Sequence, residues 1–321
     1  MTTVQIILLG VALTLSLAGC GEGLHTTSSE NSADNSSEAP PAETVPTETP
    51  AAENNEPPPP IIRKGIIGQL TTPNGNLNIN QGAGFDTARE EIHDLEPYHT
   101  LALEVGAEGE KVRTGDMVFP RPLEGKYCHS MFWGKDWPLR GSKVRTELKR
   151  FSDLNLQLGQ EYWQGIAWYT PDTPAMREVL STTRPNNHIL QWHAYSPSTG
   201  NFGLNTYSGN LFFKFGNKPE NNVGKHVLGQ WNKAVMHYKI ANDNTGFIQL
   251  WINPKVVNGL PVDPPVYEYK NTPTYGEDIY FKWGIYRHHT PAPTQDIRYF
   301  YDSLRAGDKS SDFISVYPGS P

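Results

Sequence analysis

The sequence predicts an all-β protein, a two-sheet sandwich of jelly-roll type, on three observations. From Ile61 onward, turn-forming clusters recur at short intervals: "TPNGN", "YSPSTGN", "SGN", "GNKPENN", "ANDNTG", "NPKVVNG" and "TPTYGED". Between them lie short runs rich in Trp, Tyr, Phe, Val and Ile, the rhythm of strands in a sandwich. Helical periodicity is scarce; the best short helix is "DTAREEIHDL", Asp86 to Leu95, with Asp86 placed to cap it. No internal repeat is detectable.

The chain begins with an apolar run at residues 6–19, "IILLGVALTLSLAG", too short to span a bilayer comfortably and ending in small residues. Its close, "LAGC" at Leu17–Cys20, resembles the bacterial lipoprotein box, although "MTTVQ" carries no Lys or Arg ahead of it. The resemblance implies a signal peptide over 1–19 and lipidation of Cys20. Gly21 rather than an aspartate follows, which in such lipoproteins favours the outer membrane. The expected location is thus the bacterial cell envelope, lipid-anchored, or the exterior if the signal is an ordinary cleaved one. Residues 21–60 are rich in Ser, Glu, Pro, Thr and Asn and nearly lack large apolar side chains. Such a segment cannot bury enough surface to offset its ordering entropy, so 20–60 is expected to be a disordered tether and 61–321 one folded domain.

Only two cysteines occur, Cys20 and Cys128, which leaves Cys128 without an intramolecular partner and excludes a disulfide framework. The net charge of −7 argues against a nucleic-acid partner. Much of that acidity lies in the tether, so the folded part is nearer neutral and has room for a basic cleft. A monomer is expected.

Along the folded region the clearest element is a hairpin: "WNKAVMHYKI", a turn at "ANDNTG", and "FIQLWIN", alternating on both arms. Three further strand-like runs carry polar groups. In "RTELKR", Arg145–Arg150, a strand puts Arg145, Glu147 and Lys149 on one face; taken alone that is most often a solvated sheet surface. In "QWH", Gln191 and His193 point one way and Trp192 the other; a lone histidine of this kind is more often structural than catalytic. In "YFKWGIYR", Tyr280–Arg287, Lys282 and Tyr286 share a face, while Phe281, Trp283 and Ile285 face the core. Alternation puts Arg287 on the core side as well, unless it already belongs to the loop beyond. "HSMFWGKDWPLRGSK", His129–Lys143, holds two tryptophans and several basic residues, so Trp133 could stack on a sugar at the cleft or simply pack. His288 and His289 are adjacent and point apart, and Asn242–Asn244 is explained by turn chemistry, so no catalytic metal is expected; a structural calcium is compatible.

Together the three runs offer a guanidinium, an amide, an imidazole, an amine and a phenol, which on a concave sheet suit a polyanionic sugar. They also match a reaction. Cleaving a uronate polysaccharide by β-elimination requires neutralising the carboxylate, removing the C5 proton and protonating O4. Arg and Gln meet the first need; His or Tyr can serve the others. No cofactor is chemically required.

The order "RTEL", "QWH", "YFKWGIY" resembles the three-motif signature of the alginate-lyase-like jelly-roll superfamily, a concanavalin-like sandwich with a concave substrate-binding sheet. "GQEYWQGIAWYTPDTP", "GQWNKAVMHYKI", "GFIQLWIN" and "YFYDSLRAGD" resemble more closely its glucuronan-lyase and heparin-lyase-I-like branch, and Trp192, Trp283 and Arg287 depart from the alginate-lyase pattern. The resemblance covers about 140–308. It implies that Arg145 and Gln191 neutralise the substrate carboxylate, that His193 is the base or a further neutralising donor, and that Tyr286 is the acid or both acid and base. Lys282 and Glu147 would be supporting residues, with Glu147 orienting Arg145, and Lys282, Glu147, Lys149 and Trp133 would line the substrate site. The rival expectation is a non-catalytic carbohydrate-binding lipoprotein, which has no need for all of Arg145, Gln191, His193 and Tyr286. A glycoside hydrolase would need two facing carboxylates, and only Glu147 stands among the motifs. Glucuronan is the favoured substrate, with alginate or a glycosaminoglycan as alternatives. In β-linked glucuronate or mannuronate the C5 proton and O4 lie on one side, so a single tyrosine could make both transfers; guluronate and iduronate need groups on opposite sides.

Overall fold

The computed structural model describes residues 63–71, 78–79, 89–90, 102–137, 143–149, 156–181, 187–194, 202–216, 219–270, 279–288 and 294–319. The chain divides into Met1–Pro57 and Pro58–Pro321. The first unit, with the lipoprotein box, Cys20 and nearly all of the tether, lies outside the described residues, as does the rest of 20–60.

In chain order the strands are β1 (Ile66–Thr71), β2 (Asn78–Ile79), β3 (Arg89–Glu90), β4 (Leu103–Ala107), β5 (Tyr127–Trp133), β6 (Lys143–Lys149), β7 (Glu161–Tyr169), β8 (Asn187–Ala194) and β9 (Phe202–Tyr207). There follow β10 (Asn210–Phe215), β11 (Asn221–Lys225), β12 (Trp231–Lys239), β13 (Phe247–Ile252), β14 (Val256–Val257), β15 (Leu260–Pro261), β16 (Tyr267–Tyr269), β17 (Ile279–His288) and β18 (Ile297–Asp308). Two short helices are described, α1 (Pro174–Ser181) and α2 (Phe313–Val316).

All pairings are antiparallel. One sheet runs β16-β13-β12-β7-β18-β1-β2, with β5 also on β18 and β4 on β5; the facing sheet runs β11-β10-β9-β8-β17-β6-β3. The fold is therefore the predicted jelly-roll sandwich. The predicted hairpin is β12–β13, paired from Ala234↔Ile252 to Lys239↔Phe247, and Asp243 Oδ1 accepts from Thr245 N at 2.9 Å in its turn.

The core is aromatic, with Trp133, Trp168, Trp192 and Trp283 all below 2% exposure. Each such side chain contributes on the order of 2–3 kcal/mol by leaving water. The inward residues of the three polar runs belong to it: Val144, Thr146 and Leu148 from β6, Trp192 from β8, and Phe281, Trp283 and Ile285 from β17. Trp192 packs on Phe281 at 5.0 Å between ring centres, and its Nε1 donates to Gln164 Oε1 at 2.8 Å.

Two expectations are corrected here. Arg89 and Glu90, inside the predicted helix, are extended and pair with Lys149 and Leu148 on β6. A helix that short is marginal in water, and the unpaired edge of β6 offers the same backbone better hydrogen-bond partners. Arg287 is strand, not loop, and points into the sandwich at 3% exposure.

Candidate active site

The three polar runs are separated by dozens of residues in sequence but lie on adjacent central strands, because β17 inserts between β8 and β6. Register then decides which side chains meet. On the β6 side Tyr286 is the Cα partner of Arg145, Gly284 of Glu147, and Lys282 of Lys149. On the β8 side Lys282 faces Gln191 and Tyr280 faces His193.

Between Trp283 and Tyr286 the pairing slips: Trp283 is opposite Leu190 but Tyr286 is opposite His188. Three steps on β17 thus oppose two on β8, a bulge. It explains the apolar pair Ile189 and Leu190, both 1% exposed, and it returns His188 to the face of Gln191. Gly284, with φ +137°, sits in the bulge, where a Cβ would meet Thr146 O at 2.3 Å and Glu147 Cα at 2.8 Å. Only glycine lets β17 approach β6 this closely. Tyr301, from the other sheet, donates its hydroxyl to Gly284 O at 2.9 Å and holds the bulge from below; burial raises its pKa well above the usual tyrosine range.

Glu147 is the hub of the polar face. Its Oε1 accepts from Gln191 Nε2 at 3.2 Å, and its Oε2 lies 3.2 Å from Arg145 Nε and 4.0 Å from Lys282 Nζ. One carboxylate therefore orients both the guanidinium and the amide expected to meet a substrate carboxylate. Arg145 stands over Tyr286, its Cζ 4.7 Å from the ring centre, and the ring of His188 lies 5.3 Å from that of Tyr286. Arg145, Gln191, His188 and Tyr286 are partly exposed.

Several expected contacts are corrected. Glu147 and Lys282 are each 2% exposed and lie beneath the polar face rather than open to it; Glu147 reaches Arg145 and Gln191, in keeping with the expectation that it orients Arg145. Trp133 is 1% exposed within β5 of the other sheet; it belongs to the core, packed against Trp137 at 5.7 Å, and cannot stack on a substrate. His193 is brought level with Tyr280, six positions from Tyr286 along β17, or about 20 Å at ~3.3 Å per residue. The side chains of His193, Lys149 and His288 lie outside the described residues, as does all of His289. His188 went unread as a site residue. The adjacent Ile189 and Leu190, which break strict alternation, were its one sequence signal.

Beneath the face, Trp283 Nε1 donates to His129 Nε2 at 3.1 Å. Burial pushes the His129 pKa down to about 3, which keeps Nε2 free to accept. Cys128 is buried and free, its thiol pKa raised by burial, and it is no nucleophile. Among the described residues, no three His, Cys, Asp or Glu side chains are grouped to hold a metal ion.

The sandwich is a jelly roll that carries a charged, amide-bearing face across its central strands. Residues 91–305, more than half of the chain, match the family described as polysaccharide lyase. The chain belongs to that family and is a polysaccharide lyase, an enzyme acting on a polysaccharide. Its structure is similar to the endo-β-1,4-glucuronan lyase of the fungus Trichoderma reesei, at 18% identity over 74% of this chain and 95% of that one, TM-score 0.49. It is also similar to a botulinum neurotoxin type C chain described with two ganglioside molecules, at 12% identity over 79% of this chain and 50% of that one, TM-score 0.45. A family 7 alginate lyase is similar at 12% identity over 57% of this chain and 78% of that one, TM-score 0.39. No curated protein matches the chain.

Proposed function

We propose that the substrate is a β-1,4-linked polyglucuronate, cleaved by β-elimination to leave an unsaturated uronate at the new end. The observation that carries this reading is the meeting of Arg145, Gln191 and Tyr286 on one face, with Glu147 bridging the first two. Arg145 and Gln191 donate to the substrate carboxylate, which spreads the negative charge that develops at C5. Tyr286, as phenolate, takes the C5 proton; the electron pair forms the C4=C5 double bond as the C4–O4 bond breaks, and the tyrosine hydroxyl returns its proton to O4. Arg145, over the ring, supplies the opposite charge while the phenolate exists.

A single tyrosine suffices only where the C5 proton and O4 leave from one side, as in β-linked glucuronate or mannuronate. The distance between the backbone positions of His193 and Tyr286 supports this one-sided scheme. His188, beside Tyr286, is the imidazole that orients the phenol, and His193 serves a more distant subsite. The chain is further proposed to be monomeric and tethered through lipidated Cys20 to the cell envelope, so that the domain meets its polymer outside the cell. Among the described residues no helix is long and apolar enough to cross a membrane.

Incubating the purified protein with glucuronan, alginate, heparan sulfate and hyaluronan, while following ultraviolet absorbance of the unsaturated product, tests the reading. Glucuronan is expected to react fastest. Preference for a guluronate-rich alginate or for an iduronate-containing glycan would overturn the one-sided scheme, and silence on all four would remove the uronate assignment.

A further inference from the structure

Among the described residues three arginines are buried, and two of them have carboxylate partners. Arg298 meets Glu104 Oε1 at 2.6 Å, and Arg305 meets Glu124. Arg287, 3% exposed, has no ion pair among the described residues, and its Nε has no hydrogen-bond partner there.

Its neighbours sharpen the imbalance. Asn187, the Cα partner of Arg287 across β8 and β17, is 4% exposed, and its Nδ2 has no partner among the described residues. Tyr299 reaches the same layer from β18; it is 1% exposed, interacts electrostatically with Arg287, and its hydroxyl is likewise without a partner. Thr206 is the strand partner of Asn187 on its other side, and His226 lies 6.4 Å from Tyr299 between ring centres. Both its nitrogens are already engaged, by Thr170 Oγ1 at 2.8 Å and Thr206 Oγ1 at 2.6 Å. The segments that adjoin these strand ends in sequence, "PLRGS" (138–142), "TTRPN" (182–186) and "HTPAP" (289–293), contain no aspartate or glutamate. One interior layer therefore holds a guanidinium, an amide and a phenol, each with a proton to donate and nothing described to receive it.

We propose that a small monovalent anion, a halide such as chloride, binds in this layer between the sheets, accepting from Arg287 Nε, Asn187 Nδ2 and the Tyr299 hydroxyl. A buried water could accept from two donors but would leave the guanidinium charge unbalanced, whereas an anion answers both needs. The site lies on the far side of β17 from Tyr286, since neighbouring residues of a strand point to opposite faces. It is separate from the polar face, and its existence does not rest on the proposed substrate.

The deciding experiment is a crystal of the wild-type protein grown in sodium bromide and measured at the bromine edge. An anomalous peak among Arg287, Asn187 and Tyr299 is expected; its absence, or a water there instead, overturns the proposal. In solution, replacing sodium gluconate by sodium bromide at constant ionic strength is expected to raise Tm, by on the order of 5 °C once bromide exceeds its dissociation constant a hundredfold and with the logarithm of its concentration beyond that. Arg287→Leu, or Asn187→Leu if the first does not fold, is expected to lose both peak and bromide response. A response that survives in the folded variant would place the anion elsewhere and sink the assignment.

Discussion

The guanidinium carbon of Arg145 stands 4.7 Å over the ring centre of Tyr286, and the two residues are direct partners across β6 and β17. This places the group proposed to meet the substrate carboxylate beside the group proposed to move the proton, with Glu147 at 3.2 Å from the arginine. Replacing Tyr286 by phenylalanine keeps the ring under the guanidinium and removes only the hydroxyl. Turnover on the preferred polyuronate is expected to fall by about 10²–10⁴-fold, with Tm nearly unchanged. Near-normal turnover in Tyr286→Phe would remove it from the proton transfer.

Register sets His193 level with Tyr280, and the bulge at Gly284 puts His188 against Tyr286. We therefore expect His188→Asn to lower kcat at least about tenfold and to alter the pH profile of kcat, on the proposal that the histidine orients the phenol through the transfer. His193→Asn is expected to act mainly on KM, as a more distant subsite residue. If steady-state kinetics show the reverse order, His193 holds the catalytic role that its motif suggests.

Glu147 is buried with Arg145 Nε at 3.2 Å and Lys282 Nζ at 4.0 Å from its Oε2. Removing one partner of a buried charge cluster leaves the others uncompensated, which costs roughly 3–5 kcal/mol. Glu147→Ala should thus lose both stability and activity, whereas Glu147→Gln retains the shape and loses less stability. Thermal melts of the two variants check the expectation; a Glu147→Ala protein as stable as wild type would contradict the hub.

Stability is expected to fall as pH drops from about 6.5. Burial pushes His129 and His226 to about 3 in the fold, from 6.5 in the unfolded chain. Between those values the unfolded state binds more protons, so acid favours unfolding, by roughly 1.4 kcal/mol per pH unit for each histidine. Asp302 acts oppositely, because burial raises it from 3.8 to about 6, so over that interval the native state holds the extra proton. The net slope is then about one proton's worth between pH 4 and 6 and about two below pH 4. In His226→Gln the slope between pH 4 and 6 should nearly vanish; an unchanged slope in chemical denaturation would refute the account.

The arms of β12–β13 and the inward residues Trp192, Phe281, Trp283 and Ile285 were legible, because alternation is local and a hydrophobic face declares itself every second residue. Trp133 misled, since a tryptophan among charges reads equally well as a sugar platform or as core, and only the partner sheet decides. Lys282 and Glu147 read as cleft residues for a similar reason: alternation tells which face a side chain takes, not what covers it.

The sequence by itself determined the all-β class, the polar face and the order of the three runs, all of which follow from period-two patterning and turn chemistry. Only the tertiary structure decided that β17 lies between β6 and β8, that Tyr286 is the partner of Arg145 on β6 and, through the slip at Gly284, of His188 on β8, and that Arg287 is buried apart from any described carboxylate. These are matters of register between strands distant in sequence. Register is set by the close approach of backbones at one glycine and by packing across the sandwich, and neither leaves a local trace along the chain.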